Sequence, residues 1–288
     1  GSWNDPVEFP GMAHFCEHML FMGTEKYPNE NAFQATIADQ GGVTNAMTLP
    51  DRTVYMFSSN TEGFLPLLDQ FAHFFIDPLF KPSNIAREMH AVDQEFAKSL
   101  EHDGWRMMMV LKETGNQEHP HHKFSCGNSE TLSKIPRLKL VEWHQKHYSA
   151  DRMHVVIFSP LPLDILKEQA TLSFRTVPKS PPLPLTSFMP LLSSGQQGHI
   201  TYIKPVQNKR SLLLLWELPP AIAADPTKSA ELLAYTLKRG QKSSLYEKLR
   251  QEQLIETLHV GIEEIGGEKH RFFEVDLELT EKGLQSPQ

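Results

Sequence analysis

Two histidines four residues apart, with a glutamate just before the second, are the residues of this chain best placed to do chemistry. They are His14 and His18, in the run His14-Phe15-Cys16-Glu17-His18. On an α-helix this spacing puts both imidazoles on one face, one turn apart, where both can reach one metal ion. Glu17 lies beside that face. A carboxylate there can take a proton from a metal-bound water, whose pKa the metal lowers to about 7. Cys16 projects to the opposite side and is not read as a ligand, although thiol reagents acting there would disturb the ligand helix. Residues 11–22 are otherwise almost wholly apolar. A helix at this place therefore buries three ionisable groups together, which is costly unless they bind metal or one another.

A catalytic zinc needs a third protein ligand and one open position. The helical stretch from Ser83 to residue 100 carries Ile85, Met89, Val92 and Phe96 at helical spacing and offers Glu88 and Glu95. These two are seven apart, on one face two turns apart. Either can reach the metal while the other supports a ligating histidine from behind, and spacing alone leaves that choice open.

Several elements must position these groups. The pattern predicts a helix over 11–22 closed by Gly23, and a second over 30–39 that stops at Gly41-Gly42. Strands follow at 43–48 and 53–58, joined by a turn at Pro50-Asp51. Helices are expected at 63–76, 105–111, 138–148 and 163–174, with a strand at 153–158. Residues 115–128 read as a polar loop, in which His119, His121 and His122 are loop residues and only a weak second metal candidate. Residues 178–198 hold five prolines and read as a linker. The expected domains are thus a zinc-binding catalytic domain at 1–180, a Pro/Ser-rich linker at 181–198 and a second α+β domain at 199–288. The second contains strands near 199–206, 211–218, 257–265 and 271–279. Its helices are announced by Asp225-Pro226 and by the capping box Ser244-Leu245-Tyr246-Glu247. The expected fold class is α+β: two-layer domains of antiparallel or mixed sheet packed by helices, occurring twice, with the second domain cut short in the helix that opens after Thr280.

Composition narrows the function. Of 288 residues, 40% are hydrophobic and 22% charged, as in a chain with a packed core. A net charge of -7 argues against nucleic acid, whose phosphates need a basic face. No apolar run is long enough for a transmembrane helix, so no membrane partner is expected. No glycine-rich phosphate loop follows a strand, which speaks against a nucleotide hydrolase. Two cysteines make no disulfide framework and fit a reducing compartment, so a cytoplasmic location is expected, with the bacterial periplasm or an organelle matrix as alternatives.

A family resemblance sharpens the picture. Residues 11–24, Lys26-Tyr27-Pro28, Asn45-Ala46 followed by Thr48, Asp77-Pro78-Leu79-Phe80, Arg87-Glu88 and residues 91–95 resemble the insulysin–pitrilysin (M16) zinc peptidases, the inverzincins of H-x-x-E-H order. The likeness continues through His119-Pro120, Lys123-Phe124, Gly127-Asn128 and Thr131-Leu132, and thins to Ser244-Leu245 and residues 279–284. The resemblance implies one Zn2+ per chain held by His14, His18 and Glu95, with Glu88 supporting a ligand and Glu17 as general base. It implies that Asn45 and Ala46 form a strand edge that takes up the peptide backbone. The expected activity is zinc-dependent endopeptidase action on short or unfolded peptides, inside a chamber closed by a second homologous half. Family members begin with strands that would lie before Gly1, and their arginine and tyrosine for the substrate carbonyl come from that second half. The alternative expectation is therefore a catalytically incomplete fragment, or a non-catalytic scaffold or subunit of the same fold.

Overall fold

The computed structural model describes residues 1–181, 189–238, 240, 244–267 and 269–285. It divides into two compact units, residues 1–97 with 123–186 and residues 98–122 with 187–288. The expected linker at 181–198 lies partly outside the described residues. Of its described residues, 181 belongs to the first unit and 189–198 to the second, where Leu191 is buried.

The first unit opens on α1 (Met12–Leu20), whose Phe15, Cys16, Met19 and Leu20 have no solvent exposure. Its start is fixed by two contacts. The Asp5 carboxylate accepts backbone N–H bonds from Gly11 and Ala13, both at 2.8 Å, and so satisfies donors that a helix N-terminus leaves unpaired. Gly11, at φ 89°, crosses the backbone of Gly127 so closely that a Cβ on Gly11 would lie 2.4 Å from Gly127 Cα. Next come α2 (Ala32–Asp39) and the antiparallel pair β1 (Val43–Thr48) and β2 (Thr53–Ser58), in register from Val43 opposite Ser58 to Thr48 opposite Thr53. Asn60 caps α3 (Thr61–Ile76) through a 2.8 Å bond from Gly63 N. An aromatic cluster ties these elements together: Phe33 and Phe21 each meet Phe74, with ring centroids 4.8 and 5.0 Å apart. The long helix α4 (Pro82–Ser99) follows, anchored by Asn84, which donates to Met22 O, and by Arg87, which grips both oxygens of Glu30.

After α5 (Asp103–Thr114), in the second unit, the chain returns to the first with α6 (Ser129–Leu132), α7 (Arg137–His147) and α8 (Leu163–Phe174). The Asp93 carboxylate accepts the first N–H of α6, from Ser129, at 2.7 Å. The second unit is completed by β3 (Ser211–Glu217), α9 (Pro220–Ala223), α10 (Ser229–Lys238), α11 (Leu245–Gln251), β4 (Ile255–Glu264), β5 (Arg271–Leu279) and α12 (Glu281–Leu284). Its sheet has the order β3-β5-β4, antiparallel throughout. Ala234 of α10 packs on Val260, Val275 and Leu277 across one face. The architecture is the expected α+β class, helices against small antiparallel sheets in two units; no parallel pair occurs among the described residues.

Three expectations differ from what is found. Residues 153–158 and 199–206 join no ladder among the described residues, and Val156, Phe158 and Tyr202 are exposed. Their β-branched and aromatic residues make an extended chain favourable, but a strand exists only where a second backbone supplies its hydrogen bonds. The polar loop at 115–128 contains a 3-10 turn, Pro120–His122, and buries His119 and His121. Loop polarity describes composition; here hydrogen bonds hold the His119 ring, while both ring nitrogens of His121 are buried with no hydrogen-bond partner among the described residues.

Candidate metal centre

α1 and α4 each present one face, and four ionisable side chains meet between them. Glu95 Oε2 lies 3.7 Å from His14 Nε2 and 3.5 Å from His18 Nε2. The three candidate ligand atoms of His14, His18 and Glu95 all fall within 4.8 Å of one another. The His rings stand nearly perpendicular, with centroids 4.9 Å apart. Both rings are oriented from behind. His14 Nδ1 donates to the carbonyl of Cys126 at 2.6 Å, and His18 Nδ1 faces Glu88 Oε2 at 3.4 Å. An Nδ1–H engaged in this way leaves the Nε2 lone pair as the donor toward a metal. The Glu95 side chain is half exposed, so the group opens to solvent on one side.

The electrostatics favour a positive charge at this place. Burial works against a charge on His18, yet Glu88 and Glu95 outweigh it and push the imidazole up to about 9. The hydrogen bond from His18 holds the Glu95 carboxyl below its usual range. Two imidazole nitrogens and one carboxylate oxygen, with outer partners on both rings, form a donor set that suits zinc.

Glu17, on the same helix, is buried, and its carboxyl is pushed up by that burial against the opposing pull of Thr48, His14 and His18. Thr48 Oγ1 donates to Glu17 Oε2 at 2.5 Å. Asn45 and Ala46 lie on β1, whose only ladder partner among the described residues is β2. Asn45 is exposed and Ala46 half-buried. Cys16, on the far side of α1, has no exposed surface, and burial pushes its thiol up. The expected sensitivity to thiol reagents is therefore corrected: in the folded state the sulfur is neither reachable nor ionised.

The structure thus brings His14, His18, Glu95, Glu88 and Glu17 into one group, with Asn45 and Ala46 on the strand that ends beside Glu17. Sequence reasoning missed Asp5, Thr48 and the Cys126 carbonyl in their present parts. The Asp5 cap spans six and eight residues, which matches no capping signature, whereas Thr48 and Gly127 were at least visible within the resemblance.

His119, a weak candidate for a second metal with His121, lies instead in a hydrogen-bonded chain of the second unit, which His121 joins through its backbone N–H alone. His121 N donates to His119 Nδ1 at 3.0 Å, which leaves the proton on His119 Nε2 to be shared with His270 Nε2 at 3.2 Å. His270 Nδ1 then donates to Glu217 Oε1 at 3.0 Å. His122 Nδ1 turns to the carbonyl of His119.

A family model described as Insulinase (Peptidase family M16) matches residues 1–123, and one described as Peptidase M16 inactive domain matches residues 134–285. The chain belongs to peptidase family M16. The A-factor-processing enzyme of Saccharomyces cerevisiae is 33% identical over 292 residues, which cover 99% of this chain and 28% of that protein. Insulin-degrading enzyme of Homo sapiens is 34% identical over 295 residues, covering 99% of this chain and 28% of that protein. The crystal structure of pitrilysin superposes with a TM-score of 0.92 at 31% identity, over 100% of this chain and 31% of that one. The chain therefore spans less than a third of the length of these M16 relatives. No helix among its described residues is long and apolar enough to cross a membrane.

Proposed function

We propose that this chain carries the zinc-binding catalytic part of an M16 metalloendopeptidase that cleaves short or unfolded peptides. The observation that carries the reading is the approach of His14 Nε2 and His18 Nε2 to one Glu95 oxygen, with a buried glutamate on the same helix. His14, His18 and Glu95 would hold one zinc. When bound, zinc lowers the pKa of a coordinated water and polarises the scissile carbonyl. Glu88 and the Cys126 carbonyl hold the two imidazoles in the tautomer that ligates. Glu17 takes the proton of the attacking water on its carboxylate and later gives it to the leaving amine. The edge of β1 at Asn45 and Ala46 that has no ladder partner among the described residues receives the peptide backbone as an added strand. All these residues fall in the first unit, to which we assign the catalysis, within residues 1–180; residues 199–288 are then the companion domain. Two buried cysteines fit a reducing, cytoplasmic setting.

Elemental analysis of the purified chain tests the site. About one zinc per chain is expected, lost in both His14→Ala and Glu95→Ala. Glu17→Gln should keep the metal and abolish peptide hydrolysis; wild-type turnover in that variant rejects Glu17 as the base. A second reading is favoured by the short span relative to the relatives: the piece binds zinc but turns over only with a second homologous half. Supplying that half in trans and regaining cleavage would separate this reading from a non-catalytic scaffold.

A further inference from the structure

Thr48 is the last residue of β1, two positions beyond Ala46. Alternation along β1 places Thr44, Ala46 and Thr48 on its half-buried side and Val43, Asn45 and Met47 on its exposed side. The Thr48 hydroxyl lies 2.5 Å from Glu17 Oε2 and 3.3 Å from the hydroxyl of Thr53, its cross-strand partner. A hydroxyl has one proton to give, and an ionised carboxylate can only accept. Thr48 therefore donates to Glu17 and accepts from Thr53. The direction of the chain Thr53 to Thr48 to Glu17 is fixed by the carboxylate at its end.

We infer that Thr48 is a positioning residue for Glu17, and that through it β1 joins the seat of the peptide to the aim of the base. The inference rests on the function proposed above. A glutamate side chain has three rotatable bonds, and Glu17 sits on a helix whose other contacts hold the imidazoles, not the carboxylate. With Oε2 held by Thr48, the carboxylate plane is set and Oε1 is the oxygen left to reach a water. A base held within an ångström of its productive place matters, because a misplacement of about 1 Å can cost roughly a hundredfold in rate. A peptide that pairs with β1 stiffens the strand that carries the hydroxyl, so the base is best aimed when substrate is seated.

Two measurements on the full chain test this. Thr48→Val keeps the volume and β-branching and removes the hydroxyl. It should lower kcat by about ten- to a hundredfold, the loss expected for a hydrogen bond to a charged group, while KM and zinc content stay at wild-type values. Thr48→Ser restores the hydroxyl and should recover most of the rate. A double-mutant cycle in denaturant reads the contact without turnover. Thr48→Val should raise the unfolding equilibrium constant by about tenfold in the wild type and by much less beside Glu17→Ala. Unchanged kcat in Thr48→Val, loss of zinc from it, or no coupling in the cycle would each overturn the inference. Full turnover in Glu17→Gln would instead remove the proposed function beneath it, while the cycle still decides whether the contact exists.

Discussion

Each metal-facing imidazole is held from behind by a different kind of acceptor, a backbone carbonyl for His14 and a carboxylate for His18. The two should not respond alike to mutation. Glu88→Gln keeps an acceptor toward His18 Nδ1 but removes its charge, so metal should stay bound with affinity lowered about ten- to a hundredfold, as is usual for outer-shell changes. Competition with a chromophoric chelator measures this, and wild-type affinity would remove Glu88 from the set. The pairing of the two histidines was legible in the sequence because helix geometry fixes side chains four apart. The division of labour between Glu88 and Glu95 was not legible in the spacing and came only from the family resemblance. Both lie on one face of α4, where Glu88 meets His18 Nδ1 and Glu95 approaches both Nε2 atoms. Thr48 and Cys126 act from 31 and 112 residues away in the chain, distances over which no local pattern speaks.

At the scale of elements, α1 is placed by contacts that precede and follow it far along the chain. Gly11 adopts φ 89° and meets Gly127, itself at φ 85°, backbone to backbone. The crossing brings Cys126, one residue earlier, against His14. Gly11→Ala adds a side chain in the left-handed region, at about 1–2 kcal/mol, and drives its Cβ into the Gly127 backbone. The expected total is a loss of at least 2 kcal/mol or so, together with weaker metal binding as the Cys126 carbonyl is displaced. Denaturant titration and metal affinity on the same preparation check both parts. Helices and the β1–β2 pair were readable because their periodicity is local. The extended stretches 153–158 and 199–206 were misread because pairing depends on a partner that periodicity does not name.

For the whole molecule, acid is the expected weakness. Burial pushes His119, His144 and His147 down to about 4 and His121 to about 3. In the unfolded chain these imidazoles titrate near 6.5, so between about 6.5 and 4 the unfolded state binds more protons. Stability is then lost as pH falls through that window. Asp5 works in the opposite sense, since burial raises its carboxyl to about 7 and favours the protonated form, but four imidazoles oppose it. The urea midpoint should fall steeply from pH 6.5 to 4.5. His144→Gln, which keeps a donor for the Phe74 carbonyl at the Nε2 position without a titrating ring, should flatten the slope; an unchanged slope would exclude His144 as a contributor.

The sealed thiols of the first unit give the molecule its own clock. Cys16 is wholly covered and Cys126 nearly so, one within the ligand helix and the other carrying the carbonyl that steadies His14. A maleimide added to the native protein can react only when one of these segments opens. The mass gained at each cysteine over time then counts local openings at the two flanks of the site, separately and under native conditions. Added metal should slow both labelling rates together, because the ligands can stay assembled only while both segments remain closed.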